Sequence, residues 1–311
     1  MKTVRIHNYG SKDILRYEDA PVPEIDADEI LVRVVAAAVN PVDWKIREGY
    51  LKGKLPHAFP LTLGWDVAGV VDAVGRNVQR FSPGDAVYSR PDLARNGTYA
   101  EYVAIRENEA AFKPWTLSFM TAAGLPLAGI TAWESVINAG AVGNGQTILI
   151  HAASGGVGSL AVQLAKWQGA TVIGTASGRN RDFVLSLGAD RFVDYKTQTL
   201  ADEVRDVDVV FDTIGGRTQE ESWAVLKPGG TMVSLIEPET QERARARGMV
   251  GKYVFIEPSA EILTRLAALV DAGIVRPIIG AEYALKDVVR AHEYSQSGHA
   301  RGKIVLHVGK P

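Results

Sequence analysis

Cysteine is absent from this 311-residue sequence. A chain without cysteine forms no disulfide bond, has no thiol nucleophile and cannot bind zinc through thiolates. The absence leaves the cellular compartment open, because proteins of oxidising compartments can also lack cysteine. The six histidines are scattered and show no clustered spacing that would suit zinc.

An excess of positive charge is absent too, since 34 Lys and Arg stand against 36 Asp and Glu. The chain therefore has no bulk field that would hold nucleic acid or an anionic membrane. Apolar stretches are interrupted before they reach the roughly 20 residues of a membrane-spanning helix. The first residues, Met1–His7, are typical of a short strand and contain no secretion signal. We expect a cytoplasmic protein with no nucleic-acid or membrane partner.

Two patterns of secondary structure divide the chain into two predicted domains. Residues 1–115 alternate short β-branched runs with Gly and Pro turns, which predicts a barrel-like β domain. Residues 116–274 start with an apolar helical stretch at about 117–138 and continue as alternating strands and helices, the pattern of a doubly wound parallel sheet. Residues 275–311 return to short strands and are assigned to the first domain. The predicted fold class is therefore α/β.

The strongest local signal is a glycine turn at residues 151–158, between a buried strand and an amphipathic helix. Its three glycines let the backbone turn sharply and a pyrophosphate approach, while N–H groups at the helix start face the negative charge. Close packing alone also produces such turns. Here a second strand at 171–175 completes a β-α-β unit, and the combination predicts a dinucleotide site.

The residues after the second strand indicate which dinucleotide is bound. NAD sites place Asp or Glu about 20 residues beyond the glycines, whereas this chain has Ala176-Ser177-Gly178-Arg179 there. A hydroxyl and a guanidinium suit the 2′-phosphate of NADPH. The alternative is that Arg179 and Arg181 are solvated residues at a helix start, although cations there oppose the helix dipole. NADPH is the predicted cofactor.

Six ordered motifs span nearly the whole chain: Asn40-Pro41-Val42-Asp43-Trp44-Lys45, Gly64-Trp65-Asp66-Val67-Ala68-Gly69-Val70-Val71, Gly84-Asp85-Ala86-Val87, Gly97-Thr98-Tyr99-Ala100-Glu101-Tyr102, Thr131-Ala132-Trp133 and the glycine turn. Together they resemble the medium-chain dehydrogenase/reductase superfamily, and within it the zinc-free quinone oxidoreductase branch. The resemblance implies a GroES-like β-barrel domain built from both ends of the chain, a Rossmann domain between them, and a substrate cleft at their junction.

The resemblance also bears on zinc. Zinc-dependent members place Cys where this chain has Asn40, and a His-Glu pair where it has Trp65-Asp66. The implied function is zinc-independent hydride transfer from NADPH to a quinone or a similar small electrophile. Asp43 and Asp66 are interpreted as polar groups that organise the cleft rather than as catalytic acids.

Further residues take their roles from the resemblance. Asn40 and Thr131 resemble residues that line the nicotinamide, and Phe255 covers it from the substrate side. The other implied contacts are Ser154, Gly155, Gly156, Val157 and Gly158 around the pyrophosphate, Ser177, Arg179 and Tyr195 around the 2′-phosphate, Thr213, Ile214 and Gly215 beside the ribose, and Leu235 and Ile236 on the carboxamide side.

The predicted catalytic residues are Asn40, Tyr50 and Thr131. A quinone that accepts hydride develops an oxyanion, which needs a donor such as the Asn40 amide and a proton from Tyr50 or solvent. Tyr50 lies in a loop-like stretch, so a lid or surface role stays open. His151 is predicted to be a core residue with hydrogen-bond partners. No partner at a readable spacing is found for His57, His292, His299 or His307.

The amino-acid sequence leaves other functions open. An alkenal, enone or enoyl reductase shares the fold and cofactor and differs only in cleft shape and acceptor. A non-catalytic NADPH-binding sensor or structural protein would keep the site without turnover. The strand predicted at 252–256 would lie at a sheet edge, where it can pair with a second copy. We therefore expect a homodimer.

Overall fold

The computed structural model describes residues 1–310. The strands are β1 Lys2–Ile6, β2 Arg16–Asp19, β3 Glu29–Val39, β4 Leu61–Thr62, β5 Val67–Val74, β6 Ala86–Ser89, β7 Tyr102–Arg106, β8 Ala110–Phe112, β9 Thr147–Ile150, β10 Thr171–Ala176, β11 Arg191–Asp194, β12 Val207–Asp212, β13 Leu226–Ser234, β14 Val250–Tyr253, β15 Ile279–Ala284 and β16 Lys303–His307. The helices are α1 Pro41–Arg47, α2 Phe119–Ala123, α3 Pro126–Trp133, α4 Gly156–Trp167, α5 Arg181–Ser186, α6 Leu200–Glu203, α7 Gly216–Ser222, α8 Thr240–Arg245, α9 Ala260–Asp271 and α10 Val288–Gln296.

The chain forms two compact units. The first contains residues 1–127, 257–273 and those from 277 onwards. The second contains residues 128–256 and 274–276. The first unit thus takes its strands from both ends of the chain.

Antiparallel sheets build the first unit. Its larger sheet has the strand order β15-β16-β3-β5-β6-β8, with β7 also paired to β3, and its smaller sheet has the order β2-β1-β4. Only β15 and β16 run parallel in the larger sheet. Strand β3 pairs with three others and is nearly continuously apolar, as expected of a strand that is covered on both faces. The residue that follows β3, Asn40, therefore lies between β16 and the residue before β5.

The second unit is a six-stranded sheet in which every neighbouring pair is parallel, with the order β11-β10-β9-β12-β13-β14. The chain builds outward from β9 to β11 and then returns to β12 on the other side of β9. The switch point lies between β9 and β12, and ligands of such sheets bind beyond the carboxyl ends of the strands at this point. The predicted doubly wound sheet is confirmed.

The helix predicted at about 117–138 is wrong as one element. Helix α2 ends at a Gly124 cap, and α3 starts again at Pro126. Proline has no N–H for a continuing helix but suits the first position of a new one, so the chain breaks there. A π-helical turn, Glu134–Ala139, then follows α3.

Two helices assigned from the sequence to the second domain, α2 and α9, belong to the first unit. Helix α2 packs on β3 and β5, and α9 packs on β8. Their apolar faces therefore complete the core of the β unit. The domain limits drawn from the sequence stay a prediction.

Within residues 1–310, no helix combines the length and the apolar character that crossing a membrane requires.

Candidate active site

The segments predicted to contact the cofactor follow successive strands of the six-stranded sheet. The glycine turn follows β9, Ser177–Arg179 follows β10 and Tyr195 follows β11. On the other side of the switch point, residues 213–215 follow β12 and residues 235–236 follow β13. Because all six strands are parallel, these segments share one edge of the sheet.

The glycine turn holds helix α4 close to the end of β9. A Cβ added at Gly158 would lie 2.2 Å from the carbonyl oxygen of Ala152, so this glycine is required by the protein's own packing. A Cβ at Gly155 would meet only that same oxygen, at 3.3 Å. Ala152 itself has φ +48°, a left-handed conformation that is strained for alanine. Gly155 is thus less tightly packed than Gly158, and it directly precedes the helix start, where a phosphate binds in turns of this kind.

The loops on either side of the switch point are joined by hydrogen bonds. The Thr213 hydroxyl donates to the His151 carbonyl at 3.2 Å. One carboxylate oxygen of Asp212 accepts from the amides of Ile214 and Gly215, each at 2.9 Å. A Cβ at Gly215 would lie 2.7 Å from the Ile236 side chain. The structure therefore brings together three of the predicted segments, those after β9, β12 and β13.

The predicted 2′-phosphate residues lie at the ends of β10 and β11. Arg179 is exposed, and the Tyr195 side chain is 58% exposed. A residue that sequence reasoning missed, Asp194, lies beside them: a Cβ at Gly178 would be 2.5 Å from its Oδ2. The other oxygen of Asp194 accepts from the Lys196 amide at 3.0 Å. The ends of β10 and β11 thus carry one exposed guanidinium, that of Arg179, and one carboxylate, that of Asp194.

The remaining predicted cofactor residues of the second unit differ in exposure. Thr131 is buried on α3. Phe255 follows β14 and is 49% exposed. Its neighbour Val254 donates its amide to the Ser234 carbonyl at 2.9 Å, which holds this segment against the end of β13.

His151 is a core residue with partners, as predicted. Its ring nitrogens lie 3.0 Å from the Thr175 hydroxyl and 2.8 Å from the Ser222 hydroxyl. Burial lowers the pKa of His151 to about 4. The ring is therefore neutral near pH 7 and acts as a fixed connection between β9, β10 and α7.

In the first unit, sheet register brings Asn40 between two charged residues that are remote in sequence. Asn40 directly follows β3, and Pro41 at the next position favours a helix start. Strand β16 pairs Ile304 with Val39, which puts Lys303 opposite Asn40. On the other side, the Ala38 amide bonds the Asp66 carbonyl at 3.3 Å, just before β5.

The Asn40 side chain bonds both of these charged residues. Its Nδ2 donates to Asp66 Oδ2 at 2.8 Å, and its Oδ1 accepts from the Lys303 ammonium. The ammonium also lies 3.0 Å from Asp66 Oδ2. All three side chains are buried. Burial raises the pKa of Asp66, and the Lys303 charge opposes that rise.

A second buried network extends from Asn40 to α10. The Asn40 amide N–H and the Tyr99 hydroxyl both donate to Asp43 Oδ2, at 2.8 and 2.7 Å. The Tyr99 hydroxyl also lies 3.3 Å from His292 Nε2, and Arg47 lies 3.0 Å from His292 Nδ1. Burial raises the pKa of Asp43 to about 7 and lowers the pKa of His292 to about 3. Asp43 and Asp66 thus both lie in buried hydrogen-bond networks, and their role in organising a cleft stays a prediction.

Tyr50 and Lys45 are the other polar candidates near Asn40 in sequence. Tyr50 is 68% exposed, and its hydrogen bond to Glu48 raises its pKa. Lys45, which sequence reasoning missed, is half-buried on α1 with its Nζ 5.7 Å from the centre of the Trp44 ring. Burial lowers the pKa of Lys45. Burial thus favours proton release at Lys45, whereas the contact with Glu48 opposes it at Tyr50.

No group of three or more His, Cys, Asp or Glu side chains among residues 1–310 is placed to hold a metal ion. Trp65 is fully buried, and its indole N–H donates to the Arg95 carbonyl at 3.3 Å. An indole nitrogen is only a donor, so Trp65 offers no metal ligand.

Known proteins match this chain over almost its whole length. Residues 26–114 match the alcohol dehydrogenase GroES-like domain, and residues 187–306 match the zinc-binding dehydrogenase family. The 2-methylene-furan-3-one reductase of Solanum lycopersicum is 37% identical over 99% of this chain and 79% of its own length.

Solved structures also match this chain over nearly its whole length. The quinone oxidoreductase from Coxiella burnetii superposes with a TM-score of 0.92 and 36% identity, covering 99% of both chains. The Escherichia coli quinone oxidoreductase complexed with NADPH superposes with a TM-score of 0.90 and 28% identity, covering 99% of this chain and 100% of its own.

The chain belongs to the medium-chain dehydrogenase/reductase superfamily, in its quinone oxidoreductase-like branch. The predicted family is confirmed, and so is the predicted pairing of a GroES-like domain with a Rossmann sheet. The chain is an oxidoreductase.

The glycine turn generates a prediction that separates folding from cofactor binding. We expect G155A to lose at most about 1 kcal/mol of stability, because its Cβ would lie 3.3 Å from the Ala152 carbonyl oxygen, and to bind the predicted cofactor at least about tenfold more weakly, because the methyl group stands beside the helix start that is proposed to meet the pyrophosphate. We expect G158A to lose about 1–3 kcal/mol, because its methyl group meets backbone. Thermal unfolding and fluorescence titration with NADPH measure the two effects. Wild-type binding by G155A would contradict the site.

Proposed function

We propose that this oxidoreductase transfers hydride from NADPH to a quinone or a similar small electrophile, and that it does so without zinc. The observation that carries the proposal is the edge of the six-stranded sheet, where the predicted cofactor segments follow successive parallel strands. The complex of the E. coli relative with NADPH supports the choice of cofactor.

The residues of the second unit fit a dinucleotide with a 2′-phosphate. The pyrophosphate binds at the amide groups that begin α4, beside Gly155, which is less tightly packed than Gly158. Ser177 and Arg179 receive the 2′-phosphate, with Tyr195 beside them. Residues 213–215 and 235–236 hold the ribose and the carboxamide side.

The residues of the first unit act on the substrate. When bound, NADPH supplies the hydride and its electrons. The Asn40 amide donates a hydrogen bond to the substrate oxygen, on which negative charge develops as the hydride arrives. Lys45 or Tyr50 supplies the proton, and the lowered pKa of Lys45 favours it.

Zinc-independence is supported by the contacts of Asn40 and Asp66, which occupy the positions of zinc ligands in the zinc-dependent branch. Both side chains bond the Lys303 ammonium. A fixed positive charge at these side chains repels a divalent cation and uses the oxygen atoms that would bind it. The indole of Trp65, at the third position, is not a metal ligand.

Reduction of an enone carbon–carbon double bond is the second candidate. The tomato relative, named a 2-methylene-furan-3-one reductase, supports it. A quinone and an enone both develop negative charge on a carbonyl oxygen when hydride adds to a carbon conjugated with it. The same Asn40 donor serves either substrate.

The function is tested by following NADPH oxidation with para-quinones, ortho-quinones and α,β-unsaturated carbonyls under identical conditions. We expect turnover with at least one of these classes, and the ranking of kcat/KM identifies the acceptor. NADPH that binds tightly but is oxidised by no acceptor would favour the non-catalytic sensor or structural role.

Cofactor preference is tested at Arg179. We expect R179Q to lower kcat/KM for NADPH by about 10–100-fold, because a charge-assisted pair with the 2′-phosphate is lost, and to leave NADH nearly unchanged. The control is R205Q, since Arg205 is an exposed arginine that precedes β12 at the opposite edge of the sheet. An equal effect on both cofactors would show that Arg179 does not read the 2′-phosphate.

We also propose a homodimer that pairs through the edge strand β14. This strand pairs only with β13 among the described residues, and its Val250 and Tyr253 side chains are 42% and 36% exposed. Light scattering should give about twice the chain mass of 33.5 kDa. The double variant V250K/Y253K should shift the mass to that of one chain, because charge on an edge strand opposes pairing. A monomeric wild type would contradict the proposal.

A further inference from the structure

We propose that Lys303 is a positioning residue for catalysis: its ammonium, together with the Asp66 carboxylate, orients and polarises the Asn40 amide as the donor to the substrate oxygen. The inference rests on the proposed function, in which Asn40 contacts that oxygen. It adds a role for Lys303, which no motif in the sequence singles out.

The chemistry of the two partners fixes which way the amide faces. An ammonium can only donate hydrogen bonds and an ionised carboxylate can only accept them. Asn40 Oδ1 must therefore face Lys303, and Asn40 Nδ2 must face Asp66, as the structure has them. An amide rotated by 180° would place its Nδ2 donor against the Lys303 ammonium, which is also a donor, and its Oδ1 acceptor against the Asp66 carboxylate, which is also an acceptor. The two charges together exclude the flipped amide.

The oriented amide has one N–H left. Nδ2 carries two hydrogens, and Asp66 accepts one of them at 2.8 Å. The structure gives the second hydrogen no acceptor among residues 1–310. Asn40 is 2% exposed, so this remaining N–H is a donor in a largely dry environment.

The ammonium also strengthens that donor. A hydrogen bond from a cation to the amide oxygen draws electron density from the amide nitrogen, and hydrogen bonds in a chain reinforce one another. Lys303 is 4% exposed and Asp66 is fully buried, so little water screens the effect. The positive charge reaches the developing oxyanion through the amide rather than through a metal ion.

The partners of Asp66 hold the arrangement in place. Asp66 Oδ1 accepts from the Leu127 amide at 2.6 Å, and the Thr98 hydroxyl donates to the Asp66 carbonyl at 2.8 Å. The Lys303 ammonium has a further long contact, at 3.5 Å, with the Val39 carbonyl. These contacts come from helix α3, the segment before β7 and strand β3, so the amide has a rigid support.

The variants that test the proposal change the charge at position 303. K303M removes the charge and keeps a side chain of similar length, whereas K303R keeps the charge. The double variant K303M/D66N removes both buried charges and serves if K303M alone does not fold. K286M is the control, because Lys286 is an exposed lysine in the same unit.

Three measurements separate positioning from a merely structural role. We expect K303M to lower kcat by about 10–100-fold, with KM within about threefold of wild type. NADPH affinity, measured by fluorescence, should not change. 4-Nitrophenol, a mimic of the oxyanion, should be ionised less readily when bound to the NADP⁺ complex of K303M, with its pKa raised by about one unit. K303R should lie closer to wild type than K303M, both in kcat and in the pKa of bound 4-nitrophenol.

A folded K303M or K303M/D66N with wild-type kcat and wild-type ionisation of bound 4-nitrophenol would overturn the inference. Loss of thermal stability alone, with unchanged kcat per folded molecule, would assign Lys303 a structural role and would also overturn it. Failure of the wild type to oxidise NADPH with any acceptor is a different result. It rejects the proposed function, whereas normal turnover by both wild type and K303M rejects only the role of Lys303.

Discussion

The buried ion pair between Lys303 and Asp66 is the constraint on which the polar network around Asn40 depends. Two opposite charges lie 3.0 Å apart where β3 ends between β16 and the residue before β5, and the Asn40 amide joins them. Removing one partner of such a pair costs about 3–5 kcal/mol, because the other charge stays buried without compensation. The sheet register keeps both charges in place, and the charges in turn fix the Asn40 side chain, the neutral group that the proposed chemistry uses.

In the second unit, the placement of the loops depends on a different constraint, the parallel sheet. Six parallel strands bring every loop after a strand to one edge, so residues separated by more than 80 positions, such as Gly155 and Ile236, lie at the same edge. Within that edge, His151 and Asp212 have structural roles: a neutral buried imidazole joins β9 to β10 and α7, and a carboxylate holds the loop after β12. The polar groups that support the edge are thus distinct from those proposed to touch the cofactor.

Much of this could be predicted from the sequence, because the signals are local. Each parallel strand is a short apolar run that ends in a turn, and the glycine turn lies within eight consecutive residues. Asp66 and Lys303 lie 237 positions apart in the sequence, and Arg47 and His292 lie 245 apart. No local sequence pattern indicates that these residues are in contact. The helix predicted at 117–138 was wrong because its apolar periodicity outweighed the break at Pro126. Asp194 was missed because only the pairing of β10 with β11 brings it beside Gly178.

In the proposed mechanism, an ammonium, an amide and a carboxylate do the work for which zinc-dependent relatives use a metal ion. The most direct measurement is the zinc content of the purified enzyme, together with its turnover before and after dialysis against a strong chelator. We expect far less than one zinc per chain and the same turnover before and after dialysis. One tightly bound zinc per chain, whose removal abolishes turnover and whose return restores it, would contradict zinc-independence.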